Sequence, residues 1–197
     1  MGPIDYSMAA IVHQELVNNG VKLYLEQAVE SFEKVDAGLQ VNFKSGIKTQ
    51  AQIVILSIGV RAETKLAVDA GIELGEMRGI KVDKYLKTSA NDIYAVGDAI
   101  EYTHPITGKP WLNFLAGPAN RQARIVADNI IFGDKVVYEG SIGTAVAKVF
   151  GLTVASTGLP SKRLDLMGID HIGSFTHSAA HASYYPGGGM LDIKITF

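Results

Sequence analysis

Cysteine is absent from all 197 residues. No disulfide scaffold, thiolate zinc site or thiol chemistry can come from this stretch of chain. A basic surplus is absent as well. Eighteen Lys and Arg stand against 20 Asp and Glu, a formal net charge of −2, so the charge balance gives no pointer to nucleic acid. No apolar run approaches the ~20 residues of a membrane-crossing helix. The longest candidate, residues 53–60, is strand-sized. The opening Met-Gly-Pro-Ile-Asp has no basic stretch followed by an apolar one. No secretory leader is therefore expected, and the expected location is cytoplasmic. Glycine is plentiful, yet no Gly-x-Gly-x-x-Gly follows any expected strand. The run Gly187-Gly188-Gly189 comes after a turn and leads into an apolar strand, so it cannot open a phosphate-binding helix, and Gly108-Lys109-Pro110 is not a phosphate loop.

What is present suits an ordinary globular protein of one or two domains, with 47% hydrophobic residues to build a core. A helix is expected from Ser7, as its cap, to about Asn18, with Met8, Ile11, Val12 and Leu16 near one face. Asn19-Gly20 is its stop. Short strands are expected at 21–25, 28–35, 39–43 and 47–50, the last three separated by the turns Asp36-Ala37-Gly38 and Lys44-Ser45-Gly46. The continuous apolar run 53–58 reads as a strand buried on both faces. A short helix at 63–70 should end at Gly71. Strands at 80–82 and 93–96 follow, then a loop at 103–110. A helix should start near Pro118 and stop at Gly133. Beyond Tyr138 the texture changes: β-rich at 144–150, helical at 161–167, strands at 171–176 and 190–197.

Thr88-Ser89-Ala90-Asn91-Asp92-Ile93-Tyr94-Ala95-Val96-Gly97-Asp98-Ala99 is the most informative segment. It reads as a turn, a short buried strand, and Gly-Asp at the strand's carboxyl end, where ligands of α/β sheets bind. Gly97 permits close backbone approach and Asp98 offers an acceptor for a hydroxyl. Alone, Gly-Asp also suits a plain turn. The full pattern resembles the second FAD-binding motif of the pyridine nucleotide–disulfide oxidoreductases. The resemblance implies that Asp98 binds the ribityl chain of the flavin. Ile53-Val54-Ile55-Leu56-Ser57-Ile58-Gly59-Val60-Arg61 resembles the strand linking that family's NAD and FAD domains. The family usually has an acidic residue just before it and Pro-Asn just after the Arg; here Gln52 and Ala62-Glu63 stand in those places. Ala70-Gly71-Ile72-Glu73-Leu74 and Gly79-Ile80-Lys81-Val82-Asp83 match the path into the Gly-Asp motif. Leu115-Ala116-Gly117-Pro118-Ala119-Asn120-Arg121-Gln122-Ala123-Arg124 resembles the helix whose N-terminus faces the isoalloxazine. By that resemblance the backbone at Ala116, Gly117 and Ala119 is flavin-binding. A ligand-free amphipathic core helix is the alternative.

Gly140-Ser141-Ile142-Gly143-Thr144 and the following β-rich stretch, Ala155-Ser156-Thr157-Gly158-Leu159, and His181-Ala182-Ser183-Tyr184-Tyr185-Pro186-Gly187 resemble the dimerisation domain of one branch. That branch contains the CoA-disulfide reductases, NADH oxidases and NADH peroxidases. It implies a homodimer in which Tyr184 or Tyr185 reaches the partner subunit's active site as a catalytic hydrogen-bond donor. Aromatic packing in a loop is the alternative for either tyrosine. The resemblance implies an α/β fold, turning α+β in the C-terminal part. It divides into the end of an NAD(P)-binding domain with the linking strand (1–62), the returning part of an FAD-binding domain (63–137) and an incomplete dimerisation domain (138–197). Family members are more than twice this length and carry both glycine fingerprints and a redox cysteine N-terminal to these motifs. The expectation is therefore the C-terminal part of an enzyme that passes electrons from NAD(P)H through FAD to a small-molecule disulfide or oxygen. A non-catalytic assembly module descended from this family is the second reading. His177 and His181 have metal-ligand spacing if helical, but no third ligand is evident, and no metal site is expected. Asp165 and Asp170 lie among turn residues and read as solvated charges rather than an acid–base pair.

Overall fold

The computed structural model describes residues 2–197. The chain packs as two units, one of residues up to Ala9, Val60–Lys148 and Thr153–Phe197, the other of Ala10–Gly59 and Val149–Leu152.

Helix α1 (Tyr6–Asn18) starts one residue before the expected cap. Asp5, not Ser7, opens it: the Asp5 carbonyl accepts the N–H groups of Met8 (3.1 Å) and Ala9 (2.9 Å). In the smaller unit, β1 (Val29–Val35), β2 (Gly38–Phe43) and β3 (Lys48–Ala51) form an antiparallel meander close to the expected strands. Gly38 has φ +134° and a Cβ there would sit 2.5 Å from the Ala51 carbonyl oxygen, so this corner accepts only glycine. Val41 and Phe43 are buried, and Tyr24 stacks on Phe43 at 5.4 Å.

Two expected strands do not form. Among the described residues, neither 21–25 nor 53–58 has a strand paired beside it. Ile53, Ile55 and Ile58 are 79%, 85% and 89% exposed. Their hydrophobicity is that of a doubly buried strand, but a strand is completed by the chain hydrogen-bonded beside it.

In the larger unit, α2 (Lys65–Asp69) ends before Gly71, whose φ is +75°. Strand β4 (Ile80–Lys81) pairs parallel with β5 (Ile100–Thr103), which pairs antiparallel with β6 (Pro110–Trp111). Leu86, Ile100, Tyr102, Ile125 and Tyr138 make the core between this sheet and α3 (Ala116–Phe132). The helix begins two residues before the expected start and ends at Gly133. The strand expected at 93–96 reduces to a bridge between Lys87 and Tyr94. The regular strand lies after the Gly-Asp motif instead, as β5, because Ile100 and Tyr102 enter the core while Ile93 and Val96 remain exposed. Further on come the hairpin β7 (Thr144–Val149) and β8 (Leu152–Thr157), α4 (Ser161–Met167), and a second hairpin, β9 (Gly173–Ala179) with β10 (Met190–Thr196). The register of β9 and β10 runs without a break from Gly173↔Thr196 to Ala179↔Met190.

Among the described residues, no helix is long and apolar enough to cross a membrane.

Candidate functional site

Residues Gly97–Ala99 form one 3-10 turn immediately before β5. Gly97 has φ +85°, and a Cβ built on it would meet the Ala119 methyl at 3.8 Å. The turn is held from below by α3. The Gly97 N–H donates to Gln122 Oε1 at 2.7 Å, and Gln122 Nε2 donates to the Tyr138 hydroxyl at 2.8 Å. Gln122 is buried, so both halves of its amide are satisfied by this bridge. The Tyr138 ring meets Tyr102 edge-on at 5.3 Å, and the Tyr102 hydroxyl donates to the Ser141 carbonyl at 2.9 Å. Burial, with Tyr138 close by, pushes the Tyr102 phenol up to about 12. Burial also raises Tyr138, against the lowering hydrogen bond from Gln122. Both phenols stay neutral at physiological pH, so the network beneath the turn carries no charge.

This foundation leaves Asp98 at the surface. Its carboxylate has no hydrogen-bond or ion-pair partner among the described residues. Beside it, Ala116 and Gly117 in the first turn of α3 are exposed. The first N–H groups of a helix have no intrahelical acceptor, and the capping residue Leu115 offers no side-chain acceptor. A 17-residue helix thus presents free donors and the positive end of its dipole. Ala119 plays a different part: half-buried against Gly97, it sets the spacing between helix and turn. A cleft of about 530 Å³ runs past Gly117, Pro118 and Arg121 to Tyr138, Gly140 and Ser141. Gly140 closes it tightly, since a Cβ there would lie 3.0 Å from the Thr103 carbonyl oxygen.

The structure therefore brings Gly97, Asp98, Ala116, Gly117 and Ala119 to one place. Tyr184 and Tyr185 stand elsewhere, on the loop joining β9 to β10, 83% and 64% exposed, and no hydrogen bond or ring contact joins them to the Gly97–Asp98 turn. The helical premise for His177 and His181 is not met. His177 lies in β9 and donates from Nδ1 to Asp192 Oδ1 at 2.5 Å, while His181 lies in the following loop. Asp165 is on α4 rather than in a turn, 3.8 Å from His171 Nε2, and Asp170 does not join it. Sequence reasoning passed over Gln122 and Tyr138. Gln122 falls inside the segment that carried the resemblance, but a polar residue on a helix reads as solvent-facing until its burial is known.

Residues 1–121 match the family described as pyridine nucleotide-disulphide oxidoreductase. An NADH oxidase of Methanocaldococcus jannaschii is 32% identical over an alignment covering 98% of this chain and 43% of the relative. A coenzyme A disulfide reductase of Staphylococcus haemolyticus is 28% identical, with 98% and 43% covered. The crystal structure of reduced Bacillus anthracis CoADR-RHD superposes with a TM-score of 0.95 at 44% identity, covering the whole of this chain and 35% of the other. The chain spans well under half the length of the relatives it matches. The fold and these matches together establish that the chain belongs to the pyridine nucleotide-disulphide oxidoreductase family.

Proposed function

We propose that these residues form part of a flavin- and NAD(P)H-dependent oxidoreductase that delivers electrons to a small disulfide, such as CoA disulfide, or to oxygen. The observation that carries this reading is the turn Gly97–Ala99 set against the N-terminus of α3, with an unpartnered carboxylate beside unpartnered N–H donors. This pairing fits a ligand that offers both hydroxyl groups and an electron-rich carbonyl edge. Asp98 would accept hydrogen bonds from ribityl hydroxyls. The N–H groups of Ala116 and Gly117 would face the N1–C2=O edge, where they favour negative charge electrostatically. Gly97 and Ala119 keep the two elements close enough to serve one ligand. FAD, when bound, supplies the hydride acceptance and onward electron transfer that no side chain of this chain offers.

The relatives named as NADH oxidase and coenzyme A disulfide reductase support the choice of acceptors. In this reading residues 1–62 close an NAD(P)-binding domain, 63–137 return to the FAD-binding domain, and 138–197 contribute to a homodimer interface. There Tyr184 or Tyr185 would serve the partner's site as a hydrogen-bond donor.

Asp98→Ala in the full-length protein tests the central claim. Flavin per polypeptide, read from the visible absorbance of the purified protein, should fall severalfold while the far-ultraviolet circular dichroism stays that of the parent. Flavin content equal to the parent's would remove Asp98 from the site.

A further inference from the structure

We propose that His181, seated in space that Gly188 leaves open, is a positioning residue that fixes the ring of Tyr185 rather than that of Tyr184. The proposal deepens the reading of this loop as part of an active site and rests on it for its catalytic meaning, but its geometry stands alone.

The loop between β9 and β10 is closed at its base by the Ala180 N–H donating to the Gly189 carbonyl at 2.8 Å. Inside it, the Tyr185 N–H donates to the Ala182 carbonyl at 3.0 Å. His181 Nδ1 lies 3.1 Å from that same oxygen. A carbonyl oxygen only accepts, with two lone pairs, so Nδ1 carries the proton and both donors converge on one acceptor. This leaves Nε2 directed away from the shared carbonyl. The imidazole meets the Tyr185 ring edge-on, centroids 5.8 Å apart at 66°. Tyr184 leans on the other neighbour only, 5.7 Å from Tyr185 at 42°, and is the more exposed of the pair at 83% against 64%. Tyr185 is thus tied at its backbone and flanked by two rings, whereas Tyr184 is the outer member.

Gly188 explains how the imidazole fits. A Cβ on residue 188 would lie 2.8 Å from His181 Cε1 and 3.4 Å from Nε2. Gly188 is not among the residues with positive φ, so its backbone does not itself demand glycine. A larger residue there would require the histidine ring to shift. A phenol that must meet a substrate across an interface gains from such bracing, because its ordering is completed before the encounter.

The first experiment uses the 197-residue chain and nuclear magnetic resonance. The neutral His181 side chain should show the Nδ1-protonated tautomer by its nitrogen shifts. His181→Ala should move the ring-proton signals of Tyr185 more than those of Tyr184. Gly188→Ala should move the same Tyr185 signals in the parent and add nothing in a His181→Ala background, because the collision partner is gone. Unmoved Tyr185 signals in His181→Ala, or an equal Gly188→Ala effect with and without the histidine, would overturn the proposal. The second experiment uses the flavin-loaded full-length protein. His181→Ala should lower kcat severalfold at unchanged flavin content and KM, and add nothing to Tyr185→Phe. If Tyr185→Phe turns over like the parent, the assignment of Tyr185 to the reaction fails. The resonance result then stands as evidence of packing alone, and the catalytic role of His181 is overturned with it.

Discussion

Gly97 carries two demands at one position. Its N–H must reach Gln122, and its φ of +85° lies where a side chain is strained. A Cβ would meet Ala119 only at ordinary contact distance, 3.8 Å. The cost of Gly97→Ala therefore comes from backbone conformation and not from collision. It should destabilise the larger unit by about 1–2 kcal/mol, visible as a lower urea midpoint with an unchanged slope. A midpoint equal to the parent's would mean that the turn relaxes into another conformation and that the motif is not rigidly set. The glycine and the aspartate were legible because the motif is contiguous and ends in an unusual pair. Gln122 and Tyr138, which support it, were not. Their roles depend on a contact between segments 25 and 16 residues apart, and nothing in the local hydropathy marks a buried amide.

At the scale of elements, the short helix α4 was readable from its own residues, but the feature that anchors it was not. Seven residues cannot hold a helix alone. The Asp5 carboxylate, at the start of the chain, accepts the N–H groups of Ser161 and Lys162, each at 3.0 Å, and the ammonium of Lys194 at 2.5 Å. Lys194 also donates to the Ser161 hydroxyl at 2.7 Å. One buried carboxylate thereby caps α4 and joins it to β10. Burial alone would raise the Asp5 carboxyl. The hydrogen bonds from Lys194, Lys162 and Ser161, with the Lys194 charge, outweigh it, and the group sits below its ordinary value of 3.8. A carboxylate depressed on folding contributes stability above its unfolded pKa and loses it as pH falls through the folded one. Unfolding midpoints should therefore drop as pH descends below 3.8, and Asp5→Asn should flatten that part of the profile. At neutral pH the same substitution leaves Lys194 buried without its counter-charge and should cost about 3–5 kcal/mol. A neutral-pH midpoint within error of the parent would show that Lys194 reaches solvent when released. The strand expected at 53–58 illustrates the opposite failure. Its composition was read correctly, but a strand's state is settled by the chain beside it, which no local pattern supplies.

For the whole molecule, the decisive contrast is between what the fold offers and what electron transfer requires. In the proposed reading, the Gly97–Asp98 turn and the α3 N-terminus supply binding groups for one end of a ligand. The 197 residues contain no cysteine to accept electrons and no Gly-x-Gly-x-x-Gly to seat a dinucleotide pyrophosphate. Exposed Ile53, Ile55 and Ile58 leave an unpaired apolar edge of the kind that adjoining chain covers in parallel sheets. In the proposed reading, the chain holds recognition elements whose chemistry is completed by groups outside it. The 197-residue chain, purified and supplied with FAD, should show no steady oxidation of NADH at 340 nm above the rate of free flavin. A longer polypeptide that joins it to a fingerprint-bearing segment with a redox cysteine should show turnover with CoA disulfide or oxygen. Steady turnover by the 197 residues alone would mean that a nicotinamide site is built from residues not recognised above, and the cleft beside Gly117 and Arg121 would be the place to map it by substitution.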